Sequence, residues 1–371
     1  MEPNGGGQAS RDDAPLAPAH PAAPAPAARA LANRYSPWIL PSPAQRLEHS
    51  AAAEPFVAAA AGGTAGANAN AAGAAGASGG GAGGGGAAAA AADASVNGTG
   101  LGADAPSSPP AARMLLFCVP QAGMGAWVYH AWAEHLAPRG VEVLPIELPG
   151  HNSRMREPPA TNLLKLAADI AHVVRQVVHD RAGMPYALFG HSMGAWIAYE
   201  VVQDLMRSGS LLPVHLFVSG CRAPHLYSAS DDLDPTRLHK LATAEEFWAA
   251  FGARYGTANP HLANPKIRQL VWPVLRADFA LIETYELPAG NRPVPLPTTV
   301  FGGEQDRRYT REQIHAWSRH LEGPSSSDNG SGSGSGSFVW IPGAGHDYVE
   351  KGHPLLLSVL ADTLEPQQPQ P

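Results

Sequence analysis

The sequence predicts an α/β fold: a mostly parallel sheet with helices on both faces and a helical lid inserted between two late strands. Three observations carry this. Short apolar runs at 114–119, 141–146, 186–189, 216–219, 298–301 and 338–341 read as strands. Amphipathic stretches at 127–137, 162–178, 193–206, 310–321 and 354–364 lie between or after them, an alternation that builds parallel sheets. Between Gly220 and Pro297 the alternation stops, and only helical patterns occur, as at 244–255 and 266–284. A helical insert of that length covers the carboxyl ends of the strands, where ligands bind in open α/β sheets.

The strand at 186–189 leads directly into Gly190-His191-Ser192-Met193-Gly194, and a helix begins at once. Gly-x-Ser-x-Gly in that setting is a nucleophile elbow. Its turn is too tight for side chains at the flanking positions, and it lifts the serine hydroxyl above the sheet at the positive helix end. The same letters at Gly76-Ala77-Ser78-Gly79-Gly80 have neither strand before nor helix after. The helix after Ser192 offers Trp196, Ile197, Val201, Val202 and Leu205 for burial, with Gly209 as its stop.

A serine nucleophile needs a base, and the base needs a carboxylate to fix its tautomer. On an α/β sheet these follow in the order Ser, Asp or Glu, His. Gly302-Gly303-Glu304-Gln305-Asp306 follows the fifth run, and Pro342-Gly343-Ala344-Gly345-His346 follows the sixth. His346 is the candidate base among 16 histidines because it alone lies in a Gly-rich loop just past a late strand. Asp306 is the candidate orienter, with Glu304 as the alternative. His191 is expected to pack beside the serine, and His315 and His320 to be solvated on their helix. The oxyanion of an acyl transfer needs two amide donors. Met193 supplies one by position, and Ala122, or else Gln121, in Pro120-Gln121-Ala122-Gly123-Met124-Gly125 supplies the other.

Composition bounds the rest. The 371 residues carry a formal charge of −7, and neither the first 112 residues nor the remainder is basic, which argues against nucleic acid and anionic membrane surfaces. Residues 51–112 are nearly all Ala and Gly and read as a disordered insertion. Residues 1–33 and 365–371 read as disordered tails, and 324–337 as a flexible loop. A single domain is left at 113–364. The two cysteines, Cys118 and Cys221, fall in or beside apolar strands and read as core thiols, which suits an intracellular compartment. No apolar run spans a membrane and no secretory signal is present, so a cytoplasmic location is expected, with organelle import left open. No Cys-x-x-Cys or phosphate loop occurs, so no cofactor and no metal are implied.

Taken together, these residues resemble the type II thioesterases, the stand-alone hydrolases serving fatty-acid, polyketide and non-ribosomal peptide synthases. The resemblance rests on Leu116-Phe117-Cys118-Val119-Pro120-Gln121-Ala122-Gly123, Leu148-Pro149-Gly150, the elbow with its strand, Phe217-Val218-Ser219-Gly220, Arg222-Ala223-Pro224, Leu275-Arg276-Ala277-Asp278-Phe279 and Glu283-Thr284-Tyr285. It implies an α/β hydrolase fold with a lid at about 225–290. It also implies Ser192, Asp306 and His346 as a triad, with the amides of Ala122 and Met193 as oxyanion donors. The implied substrate is an acyl group on the phosphopantetheine arm of an acyl carrier protein, taken by a monomer that meets its synthase. Ser36-Pro37-Trp38-Ile39 matches the family's opening segment, which places 34–50 at the sheet edge and makes 51–112 an insertion within the domain. Two departures stand out: Gln121 where the family usually has His or Tyr, and Met124 where it has a glycine. A positive φ at Met124 would strain the oxyanion loop.

Overall fold

The computed structural model describes residues 37–39, 112–227, 236–255, 260–322 and 336–365. In chain order its main elements are β1 (Met114–Val119), α1 (Trp132–Leu136), β2 (Val141–Pro145), α2 (Leu163–Asp180), β3 (Tyr186–His191), α3 (Met193–Arg207) and β4 (His215–Ser219). They continue with α4 (Ala244–Tyr255), α5 (Pro265–Glu283), β5 (Thr298–Gly303), α6 (Arg311–His315), β6 (Gly336–Ile341) and α7 (Pro354–Leu364). The six strands form one sheet in the order β2-β1-β3-β4-β5-β6, and every neighbouring pair is parallel.

The strands read as unbroken apolar runs because both faces of the sheet are covered. In β1, Leu115, Phe117 and Val119 join the core under α2 and α3. Met114, Leu116 and Cys118 join the opposite core with Trp132 and Leu136 of α1 and Leu356, Leu357 and Leu360 of α7. Period-two alternation thus feeds two cores from one strand. On α2, Leu163, Leu166, Ala167, Ile170, Ala171, Val174, Val177 and Val178 are buried, the spacing of a helix with one apolar face. Asn162 caps it by accepting from the Lys165 amide at 2.8 Å.

This order places a topological switch between β1 and β3, since the chain leaves β1 toward β2 on one side and returns as β3 on the other. The loop after β1 and the elbow after β3 therefore open into the same crevice. Between β4 and β5 come α4 and α5, as the helical patterns predict. Leu238, Phe247, Leu275 and Phe279 form their small core, and Ala122 of the β1 loop packs against it. At the other side of the sheet, Ile39 forms an antiparallel bridge with Ile146, and Glu147 N donates to Trp38 O at 2.8 Å. The Arg154 guanidinium lies 3.8 Å from the centre of the Trp38 ring.

Several expectations are corrected. The helix expected at 127–137 is a 3-10 turn (Ala126–Tyr129), the short α1 and a second 3-10 turn (Ala137–Arg139). Tertiary packing overrides propensity here: Tyr129 donates to Val119 O at 2.8 Å, and its ring meets Trp132 and Phe189 edge-on. The helix expected at 310–321 tightens to 3-10 winding at Ala316, where Trp317 Nε1 donates to Cys221 O at 2.8 Å. His320 is buried rather than solvated, within 2.7 Å of His225 and 3.4 Å of the Tyr199 hydroxyl, whereas His315 is exposed. β6 begins at Gly336, so 336 and 337 belong to a strand. The remaining stretches expected to be disordered or flexible, 1–33, 51–111, 324–335 and 366–371, lie outside the described residues, as does most of 34–50.

Candidate active site

Ser192 ends β3 and starts α3 at φ 53° and ψ −120°, a conformation a residue with Cβ rarely adopts. Its amide donates to Ser219 O at 2.8 Å, which fastens the elbow to β4. Gly190 and Gly194 are sterically required. A Cβ on Gly190 would lie 2.0 Å from Gly194 O, and one on Gly194 would lie 2.2 Å from Val119 O. The elbow is thereby pressed against the end of β1.

His346 follows β6, and its Nδ1 donates to Asp306 Oδ2 at 2.6 Å. A carboxylate can only accept, so the proton sits on Nδ1 and the lone pair on Nε2. Burial, helped by the charge of Arg308, lowers the His346 pKa below the usual histidine value even against the Asp306 carboxylate, so the ring is neutral at pH 7. Nε2 is buried and has no hydrogen-bond partner among the described residues. Burial by itself would raise the Asp306 pKa; the hydrogen bond and charge of His346 outweigh it, and the net shift is downward. Glu304, the alternative orienter, is exposed and reaches Arg311 at 3.4 Å and the Gly343 amide instead.

His346 is tied to the elbow through its backbone. His191 Nε2 donates to His346 O at 2.9 Å, and the two rings are 4.8 Å apart. Burial, reinforced by the neighbouring His346 ring, pushes the His191 pKa well below normal, so His191 is neutral and its Nδ1 accepts from Ser219 Oγ at 2.9 Å. Ser219 in turn accepts from the Tyr348 hydroxyl at 2.6 Å. The result is a directed chain, Tyr348 to Ser219 to His191 to the His346 carbonyl. Gly220 (φ +57°) lets the rings meet, because a Cβ there would lie 2.5 Å from His191 and 3.4 Å from His346. The structure therefore brings His346, Asp306 and the elbow together. Ser192 Oγ and His346 Nε2 are not hydrogen-bonded to each other, and such contacts often tighten only with substrate.

In the β1 loop, the Gly123 amide donates to Asp278 Oδ2 at 2.7 Å and the Met124 amide to Gln121 O at 3.1 Å. The amides of Gln121 and Ala122 have no acceptor among the described residues, and Met193 is the first residue of α3, where an amide lacks an intrahelical partner. Gly123 carries the positive φ of +77°, and Met124 is not among the positive-φ residues, so the strain considered for Met124 does not arise. Gln121 Nε2 donates to Glu350, whose carboxyl burial raises to about 7. A cavity of about 240 Å³, lined mostly by apolar groups, is bounded by Gly123 and Gly125 of the β1 loop, by Met155, and by Val271 and Val274 of α5.

Sequence reasoning missed Asp278, His151, Ser219, Tyr348 and Glu350 as parts of this assembly. For Asp278 a signal was present: a carboxylate between the apolar positions Leu275 and Phe279 of a helix, where only a paired charge is buried. Cys118 and Cys221 are both buried and free. Among the described residues no helix is long and apolar enough to cross a membrane, and no cluster of three metal-ligating side chains occurs.

The parallel sheet and the strained serine elbow are those of a hydrolase of the α/β hydrolase class. A family profile described as Thioesterase domain matches residues 115–333, more than half of the chain. The chain belongs to the thioesterase family, and type II thioesterases are among its relatives. It is 34% identical over 207 residues to the gramicidin S biosynthesis protein GrsT of Aneurinibacillus migulanus, covering 56% of this chain and 76% of that one. RedJ, a thioesterase of the prodiginine pathway in Streptomyces coelicolor, superposes with a TM-score of 0.57 at 34% identity, covering 69% of this chain and 92% of RedJ. The type II thioesterase BorB of the borrelidin cluster gives 0.55 at 31% identity, covering 70% and 95%.

Proposed function

We propose that the protein hydrolyses acyl thioesters carried on the phosphopantetheine arm of an acyl carrier protein, with Ser192, His346 and Asp306 as its triad. The observation that carries this is the His346 ring, held by Asp306 at 2.6 Å with a buried, unpartnered Nε2, and tied through its carbonyl to the residue preceding Ser192. Ser192 Oγ attacks the thioester carbonyl while His346 Nε2 takes its proton. The oxyanion forms against the amides of Met193 and of Ala122, or else Gln121. Collapse expels the pantetheine thiol, a good leaving group because its pKa is near that of cysteine. Water activated by the same nitrogen then releases the free acid and restores Ser192.

That GrsT serves gramicidin S biosynthesis and BorB comes from the borrelidin biosynthetic cluster supports a synthase-borne carrier as partner. The reading takes the protein as a cytoplasmic monomer that clears or releases acyl groups. It also takes 34–50 as part of the hydrolase domain, supported by the contacts of Trp38 and Ile39, with 51–112 as an insertion and about 225–290 as the lid.

The test is acid release from acyl-carrier thioesters by wild type and Ser192→Ala, beside acyl-coenzyme A and simple esters. Equal rates for wild type and the variant end the proposal. Preference for simple esters favours a carboxylester hydrolase, and lack of fluorophosphonate labelling at Ser192 favours a silent synthase-docking protein.

A further inference from the structure

We propose that His151 and Asp278 are a positioning pair that sets the oxyanion loop, and that it works only while His151 is an imidazolium. The inference rests on the thioesterase reading above and adds to it a device that couples the loop to α5. Asp278 Oδ2 accepts twice, from the Gly123 amide at 2.7 Å and from His151 Nε2 at 3.1 Å. His151 Nδ1 lies 3.2 Å from Pro149 O, a carbonyl that has no proton to give. Both ring nitrogens thus face acceptors, and only the doubly protonated ring has two N–H groups to offer them.

The charges around the pair agree. His151 and Asp278 side chains are 5% and 2% exposed. The other charged groups around the ring are Glu147, whose buried carboxylate takes the Ala126 amide and Asn152 Nδ2, and Arg154, which is directed onto Glu147 O. Burial pulls the His151 pKa down, but Asp278 first, then Glu147 and the Pro149 carbonyl, outweigh it, and the net shift is upward from 6.5.

The geometric consequence falls on the loop. Gly123 is the residue after Ala122, and its amide is turned onto Asp278, which leaves the Gln121 and Ala122 amides as the free donors. Ala122 itself packs against the core that includes Leu275 and Phe279, the residues flanking Asp278 on α5. When His151 loses its proton, the neutral ring keeps its Nε2–H on the carboxylate that anchors Gly123 and turns an Nδ1 lone pair onto the Pro149 carbonyl, while the buried Asp278 carboxylate loses its counter-charge. Repulsion at Nδ1 and the unbalanced carboxylate then loosen the anchor one residue from the oxyanion donor.

The pair is tested by kcat and KM for a thioester from pH 5 to 10 in wild type, His151→Gln and Asp278→Ala, with imidazole NMR of His151 in the wild type. We expect the wild-type kcat to fall on the alkaline side. His151→Gln keeps an uncharged N–H toward Asp278 and is expected to lose that fall. Asp278→Ala is expected to lower kcat about 10- to 100-fold with little change in KM, less than removal of a whole oxyanion donor. The NMR midpoint of His151 is expected above 6.5 whether or not the enzyme turns over. A His151 midpoint below 6.5, an unchanged alkaline limb in His151→Gln, or wild-type kcat in Asp278→Ala overturns the proposal. Turnover surviving in Ser192→Ala refutes the triad instead and leaves the NMR result to stand on its own.

Discussion

Replacing Ser192 by glycine should abolish turnover and at the same time stabilise the fold. At φ 53° and ψ −120° the serine holds a conformation that costs about 1–3 kcal/mol for a residue with a Cβ. Its side chain makes no capping hydrogen bond at the start of α3, so removing the hydroxyl forfeits none there. Glycine relieves the strain but loses about 0.4–1 kcal/mol through the greater freedom of the unfolded chain. The net gain is about 0.5–2 kcal/mol, or roughly 2–4 °C in Tm per kcal/mol for a domain of this size. Alanine provides the internal control, because it removes the same hydroxyl and keeps the Cβ. Urea titrations of wild type, Ser192→Gly and Ser192→Ala should place the glycine variant alone at a higher midpoint with unchanged slope. A glycine variant no more stable than the alanine variant would refute the claim that strain is stored at the elbow.

Further outcomes follow from the same geometry. Gly194→Ala drives a Cβ to within 2.2 Å of Val119 O, and should cost about 3 kcal/mol or more, read as a collapse of the urea midpoint. Ser219→Ala leaves the His191 Nδ1 and Tyr348 hydroxyl without their shared partner, and should destabilise by about 1–3 kcal/mol while lowering kcat. For pH, His346 must be neutral, so kcat/KM should rise with pH through a midpoint below 6.5, and a midpoint above 6.5 contradicts the burial argument. The Asp306 pKa is lowered in the fold, so its stabilisation is present above the ordinary carboxylate pKa and is lost as pH falls through the lower folded value. The stability difference between wild type and Asp306→Asn should therefore shrink on acidification from pH 5 to pH 3.

Much of this architecture was legible because its signals are local. Six apolar runs and the glycines around Ser192 are consequences of burial on both sheet faces and of a turn with no room for Cβ. That Asp306 and His346 would meet was legible from their places after β5 and β6, since parallel strands deliver their following loops to one edge. What escaped depends on contacts between distant segments. Winding at 127–137 and 310–321 is decided by where Tyr129 and Trp317 find carbonyls, on β1 and beyond β4, which periodicity does not encode. His320 looked like a surface residue on an amphipathic helix, but Tyr199 and His225 enclose it. Asp278 and His151, 127 positions apart, acquire meaning only when α5 folds over the β1 loop.

The most direct measurement is mass spectrometry of the protein quenched within milliseconds of mixing with an acyl-carrier thioester. An added acyl mass on the peptide that contains Ser192, decaying as free acid accumulates, is the expected result. An enzyme that releases acid while no acyl group ever resides on Ser192, or while it resides on another residue, would contradict the account.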